Sequence, residues 1–158
     1  MRMERILFYS PAGPLGLEAE GEGLTALYLP SQCAGLTAGR SSPLLEEAKA
    51  QVLAYFRGER RVFSLPLTPR GTLFRQSVWK CLRDIPYGTV ISYKELARRV
   101  GRPKGFQAVG QANRFNPLPI LIPCHRVVAA DGSLGGYAGG LELKEFLLNL
   151  EGARNGKK

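Results

Sequence analysis

The segment ERRVFSLPLTPRGT, residues 59–72, constrains the fold more than any other stretch of this chain. Pro66 and Pro69 lack a backbone donor and push the residue before each of them out of the helical region, so no regular helix runs through. The 158 residues can form one domain or two small ones. This interrupted connection favours two, with a boundary near residue 70: an N-terminal unit, 1–69, and a C-terminal unit, 70–158.

The two sides carry different patterns. Before the connection, RILFYS, LGLEAE and LTALYLP are short apolar or alternating runs separated by PAGP and GEG, which is turn chemistry, and they predict a small antiparallel meander. In SPLLEEAKAQVLAYFRG, Leu45, Ala48, Val52 and Phe56 recur at helical spacing, with Pro43 in the first turn and Gly58 at the stop. After the connection the pattern is more helical. Phe74, Val78, Cys81, Leu82 and Ile85 form one face of a helix ended by PYG, and Cys81 is expected there as a buried small hydrophobe. In SYKELARRVG, Ser92 and Glu95 have capping-box spacing and Gly101 supplies the stop. A second short helix, GFQAVGQANRF, with small residues Ala108, Gly110 and Ala112, ends at Asn116-Pro117. Two short helices around a tight turn predict a helix-turn-helix or a plain helical hairpin. LELKEFLLNLEG predicts a C-terminal helix followed by a frayed basic tail, ARNGKK.

Charge separates the sides again. The chain carries +9, yet residues 1–69 hold seven Lys/Arg against seven Asp/Glu, while residues 70–158 hold fifteen against six. The whole excess lies in the second side, which points to a polyanionic partner or to a solvated basic surface. No apolar run is long enough for a membrane span and the start lacks a secretory pattern, so a cytoplasmic protein is expected, or a nuclear one in a cell with a nucleus. Three cysteines, far apart and odd in number, argue against a disulfide framework. With no CxxC and one histidine, no structural zinc is expected, and the glycine-rich AADGSLGGYAGG has no GK[ST] to make it a nucleotide loop. It reads as a backbone lining for a pocket around Tyr137.

The chemistry is concentrated in PILIPCHRVV, residues 119–128. An apolar run bracketed by Pro119 and Pro123 opens directly onto Cys124, His125 and Arg126. A thiolate is the strongest side-chain nucleophile, and its formation depends on a nearby base or positive charge. On an extended chain adjacent residues point to opposite sides, so a bridging water or a turn at Pro123 would have to relay the proton. An imidazole works better as a base with a carboxylate behind it, and Glu151 is one candidate among several.

This run, followed by GYAGGLELKEFLLNLEG and preceded by VWKCLRDIPYGTVISYKELA and AVGQANRFNPLPI, resembles the signature of the O6-alkylguanine-DNA alkyltransferases, also called methylated-DNA–protein cysteine methyltransferases. The resemblance covers residues 73–152 strongly and the first seventy only in size and element order. It implies an α+β chain: a ribonuclease H-like antiparallel-sheet domain, then a helical, winged-helix-like domain with a helix-turn-helix. It implies direct, irreversible, stoichiometric transfer of an alkyl group from O6-alkylguanine, or O4-alkylthymine, in double-stranded DNA to Cys124, after the base is flipped out of the duplex. Under it, His125 takes the thiol proton through a water, Glu151 orients His125, and Asn116 holds the turn before the site. Arg126 packs and bridges that region, Tyr93 faces phosphate and base and helps protonate the departing guanine, Tyr137 walls the pocket, and backbone groups at Cys124 and Val127 read the base edge. Pro119 borders the pocket. Ala108, Gly110 and Arg114 meet DNA through the minor groove. No cofactor or metal is implied, and a monomer is expected. The family usually carries arginine, filling the space of the flipped base, where this chain has Gln107, and the N-terminal zinc ligands of some members are absent. Competing readings are a lesion-binding alkyltransferase-like protein, a branch that replaces the cysteine, a helix-turn-helix regulator and a cysteine hydrolase.

Overall fold

The structure, a computed structural model, describes residues 3–153. The chain divides into two compact units, Met1–Arg70 and Gly71–Lys158.

In the first unit the turn chemistry delivers the meander. Strands β1 (Glu4–Ser10), β2 (Gly13–Glu20) and β3 (Gly23–Tyr28) form an antiparallel sheet in the order β1-β2-β3. The register pairs Phe8 with Leu15 and Leu17 with Leu27, so apolar residues gather on one face. Helix α1 (Pro43–Phe56) covers that face with Leu45, Ala48, Val52 and Tyr55, all fully buried. Its ends are chemically fixed: the Ser42 hydroxyl accepts from the Leu45 N–H at 3.2 Å, and Gly58 sits past the last turn at φ 76°. The other face of the sheet carries an Arg5–Glu18 ion pair with the Tyr28 hydroxyl donating to the same carboxylate.

The Pro-interrupted connection does more than separate the units. Leu24 donates to the Pro66 carbonyl at 2.9 Å and accepts from Thr68 N–H at 2.8 Å, so residues 66–68 extend the sheet beside β3. The bonds at Pro66 and Thr68 use a carbonyl and a non-proline N–H, so neither missing proline donor interrupts the ladder.

The second unit holds α2 (Leu73–Arg83), β4 (Ile91–Ser92), α3 (Tyr93–Val100), α4 (Phe106–Arg114), β5 (Val127–Val128) and α5 (Leu141–Leu150). Strands β4 and β5 pair in parallel, Ile91 with Val127 and Ser92 with Val128, which joins the entry of α3 to the chain just after Cys124–Arg126. Trp79 of α2 is buried and donates its indole N–H to the Ala112 carbonyl of α4 at 2.8 Å, locking the two helices together. The helix-turn-helix is α3, a turn through Gly101 at φ 88°, and α4.

Some local expectations are corrected. Helix α2 stops at Arg83, so Ile85 is buried just beyond it rather than on its face. Cys81 is half-buried, its thiol directed at the Arg99 carbonyl 3.7 Å away, because its side of α2 meets the end of α3 and not the deep core. Ser92 caps α3 as expected, but the Glu95 carboxylate pairs with Arg98 and Arg99 instead of returning to the cap. The last residues of the basic tail, 154–158, lie outside the described residues.

Candidate active site

The segment before Cys124 is a clamped loop. Asn116 accepts from the Leu118 N–H at 2.9 Å and donates to the Ile122 carbonyl at 2.8 Å. Within this clasp Pro119 bridges to Ile122, and Ile120 adopts φ 75°, the one non-glycine residue in that region among the described residues. For a β-branched side chain this costs roughly 1–2 kcal/mol, which the clasp and the burial of Leu118, Ile120 and Ile122 must offset. Pro123 then makes a tight turn, with Cys124 N–H donating to the Ile122 carbonyl at 2.7 Å.

Cys124–Arg126 forms a 3-10 turn, so the extended-chain alternative does not hold and the turn at Pro123 does. The coiling carries His125 and Arg126 to the end of α5. There His125 Nε2 lies 2.8 Å from Glu151 Oε2, while Arg126 donates through Nε to Oε1 at 2.9 Å and through Nη2 to Oε2 at 3.0 Å. The remaining Arg126 nitrogen donates to the Ile85 carbonyl at 2.6 Å, and Gly88 N–H approaches Glu151 Oε1 at 3.3 Å. The cluster is buried.

Burial alone would raise the Glu151 carboxyl, but the hydrogen bonds and charges of His125 and Arg126 outweigh it and hold the group well below the usual carboxylate range. Burial pushes the His125 imidazole down from 6.5, against the pull of Glu151. The pair is therefore an ionised carboxylate and a neutral imidazole at neutral pH. The carboxylate can only accept, so Nε2 carries the proton and Nδ1 keeps its lone pair. Nδ1 is buried with no protein partner. Cys124, 4% exposed, is pushed by burial up to about 11, with Asn116 and Lys144 opposing the rise. At rest it is a neutral thiol that needs a base.

The glycine-rich loop closes over this cysteine. Tyr137 has a buried hydroxyl without a satisfied hydrogen bond, and its ionisation is disfavoured by burial and by Cys124 beside it. Tyr93, half-buried at the start of α3, directs its hydroxyl to the Gly136 carbonyl at 3.4 Å. Gly135 has no alternative, because it combines φ 71° with a Tyr93 ring carbon 2.9 Å from where a Cβ would stand. The loop is fastened by Lys144, whose fully buried ammonium donates to the carbonyls of Val127 (2.7 Å), Gly136 (3.0 Å) and Leu134. Desolvation lowers this lysine to about 8. Sequence reasoning missed it. A signal existed: Lys144, Leu147, Leu148 and Glu151 are spaced i, i+3, i+4, i+7, so both charged residues share the apolar stripe of α5.

The structure thus sets Asn116, Tyr93, Tyr137 and Lys144 against the Cys124 thiol, and gathers His125, Arg126 and Glu151 in the buried cluster that follows it, while Pro119 lies buried in the loop before it. Val127 N–H bonds to the Cys124 carbonyl, and the Val127 carbonyl accepts from Lys144. Gln107, Ala108 and Arg114 form an exposed face of α4, and Gly110 lies between that face and Tyr93. Among the described residues no group of three His, Cys, Asp or Glu side chains could hold a metal ion.

Residues 73–153 match the family model described as 6-O-methylguanine DNA methyltransferase, DNA binding domain, and residues 3–69 match the model of the ribonuclease-like domain of the same family. A methylated-DNA–protein-cysteine methyltransferase of Methanosarcina acetivorans is 44% identical over 93% of this chain and 97% of its own length. A constitutive methyltransferase of that name from Bacillus subtilis is 46% identical over 90% of this chain and 91% of its own. In three dimensions the chain resembles a Mycobacterium tuberculosis protein crystallised in complex with DNA under the name OGT. Its TM-score is 0.86 at 43% identity, over 96% of this chain and 94% of the other.

Proposed function

This chain belongs to the 6-O-methylguanine DNA methyltransferase family, and from that membership we propose that it repairs duplex DNA by moving the alkyl group of O6-alkylguanine onto its own Cys124. The observation that supports the site assignment is a buried thiol followed directly in the chain by a neutral imidazole, one nitrogen of which is held by an ionised, arginine-clamped carboxylate while the other has no protein partner.

The target guanine is extruded, since its O6 lies inside the duplex. The thiol proton passes through one water to His125 Nδ1, the buried acceptor without a protein partner. Glu151 stabilises the imidazolium that forms. The sulfur attacks the alkyl carbon in line; the S–C bond forms as the C–O6 bond breaks, and the bonding pair leaves with the guanine. Tyr93 keeps its proton because burial disfavours its ionisation, so its hydroxyl donates a hydrogen bond to the negative charge developing on the departing base, which then takes up a proton from solvent. The same displacement at O4 serves alkylthymine. Cys124 ends as a thioether with no comparable leaving group, so each chain acts once.

The basic second unit supplies phosphate attraction, with Arg114 on the exposed face of α4 and Ala108 and Gly110 permitting close backbone approach in the minor groove. The reading includes a monomer in the cytoplasm, where its thiols stay reduced.

Intact mass after mixing with an O6-methylguanine duplex tests this. One added methyl per chain, mapped to Cys124, is expected; binding of the lesion with no mass change would make the protein a lesion binder instead.

A further inference from the structure

Extruding a base leaves a gap in the stack, and a protein that holds it open must offer surface to the unstacked neighbours. Besides Tyr93 at the site, three exposed or half-exposed aromatic rings lie near α4, and two of these are engaged. Arg75 lies over the Phe115 ring at 4.9 Å, and Arg102 over the Phe74 ring at 5.1 Å. Phe106, 54% exposed, has no ring or cation partner among the described residues.

Its position on α4 is specific. Spacings of four and three put Phe106, Gly110 and Asn113 on one flank of the helix. That flank borders the site: a Cβ at Gly110 would stand 3.9 Å from the Tyr93 ring, and Asn113 interacts with the Tyr93 hydroxyl. Phe106 continues the line one turn outward, past the mouth that Tyr93 marks. Gln107 lies a hundred degrees round, on the row it shares with Arg114, and has no stacking surface. Ahead of Phe106, Gly105 adds no side chain that would keep the helix start from the groove.

Resting on the function proposed above, we propose that Phe106 is the wedge that enters the base stack beside the extruded nucleotide, and so a specificity-determining residue for duplex substrates. Its ring replaces stacking lost by the flanking bases without reading their identity, as apolar wedges and aromatic platforms do. Gln107 beside it is left to hydrogen-bond the orphaned partner base.

The test compares full-length wild type, Phe106→Ala and Phe106→Trp in single-turnover transfer from an O6-methylguanine duplex and from free O6-benzylguanine, which needs no extrusion. For Phe106→Ala the ratio of duplex to free-base rate should fall about ten-fold, while Phe106→Trp keeps the wild-type ratio. An unchanged ratio in Phe106→Ala, or a parallel fall on both substrates, overturns the wedge and leaves the alkyl-transfer reading standing. Absence of transfer by the wild type from either substrate would instead remove that reading, and the wedge with it.

Discussion

The two units solve the same folding problem with different interiors. Among the described residues, the first unit buries one polar side chain, Gln51, bonded to Ser64 and Glu47. The second buries Asn113, Asn116, His125, Arg126, Lys144 and Glu151; Asn116 and Lys144 act on the Cys124 thiol, and His125, Arg126 and Glu151 bond to one another just after it. The ion pairs of the first unit, Arg5 with Glu18 among them, stay within reach of solvent, as those of Glu95 do in the second; the pairing of Glu151 with His125 and Arg126 is sealed. A buried ion pair is a poor source of stability, because desolvating its members cancels much of their attraction. Its presence in one unit only indicates that the second interior is arranged to set proton positions as well as to pack.

The comparison can be broken first at the thiol. Cys124→Ser should abolish transfer while leaving DNA binding intact, since a hydroxyl is nearly isosteric but far less nucleophilic at neutral pH. Intact mass and a gel-shift assay read the two properties separately, and an active serine variant would remove the thiol from its role. Next, matched carboxylates contrast the interiors. Glu151→Gln strips the buried Arg126 of its counter-charge and weakens the acceptor for His125 Nε2–H, and should cost about 3–5 kcal/mol in denaturant unfolding, with transfer slowed about a hundred-fold. Glu18→Gln, in the half-exposed pair, should cost no more than about 1 kcal/mol and leave transfer unchanged. Equal costs would erase the distinction.

Lys144→Met should have a smaller effect, about 2 kcal/mol, from leaving three carbonyls without their donor. Because the loop it fastens carries Tyr137, faster hydrogen exchange over residues 133–137 should accompany the loss. A graded effect is expected from pH. His125 is held below 6.5 and Glu151 below the ordinary carboxylate range. As pH falls through the unfolded values of these groups, the unfolded chain takes up protons that the folded chain refuses, so stability falls with pH. The slope reaches at most about 1.4 kcal/mol per pH unit for each group. Hydrogen exchange between pH 7 and pH 5 should therefore loosen α5 and β5 before β1–β3. The opposite order would mean that the buried cluster is not what acid attacks.

Much of the fold was legible because its signals are local. PAGP and GEG set the meander; Ser42, Pro43 and Gly58 bounded α1; Ser92 and Gly101 bounded α3. Cys124 and His125 stood out because they end an apolar run. What escaped was non-local. The pairing of residues 66–68 with Leu24 joins segments more than forty residues apart, and no local pattern encodes it. The partial exposure of Cys81 depends on where α3 ends, and the loss of the Glu95 capping bond depends on competition from two arginines.

The sequence by itself determined which elements form and where the chemistry sits, because caps, turns and apolar periodicity act within a few residues of one another. It also determined the charge division, which is a property of composition. Only the tertiary structure decided what the site's groups are. It selected Glu151, twenty-six residues from His125, from among the available carboxylates, brought Arg126 onto the same oxygens, and turned Lys144 inward beneath the glycine loop. Burial and those partners then set the charge states: an ionised carboxylate, a neutral imidazole and a protonated thiol. The physical reason is that a pKa depends on local dielectric and on neighbouring charges, and both exist only once distant segments have packed.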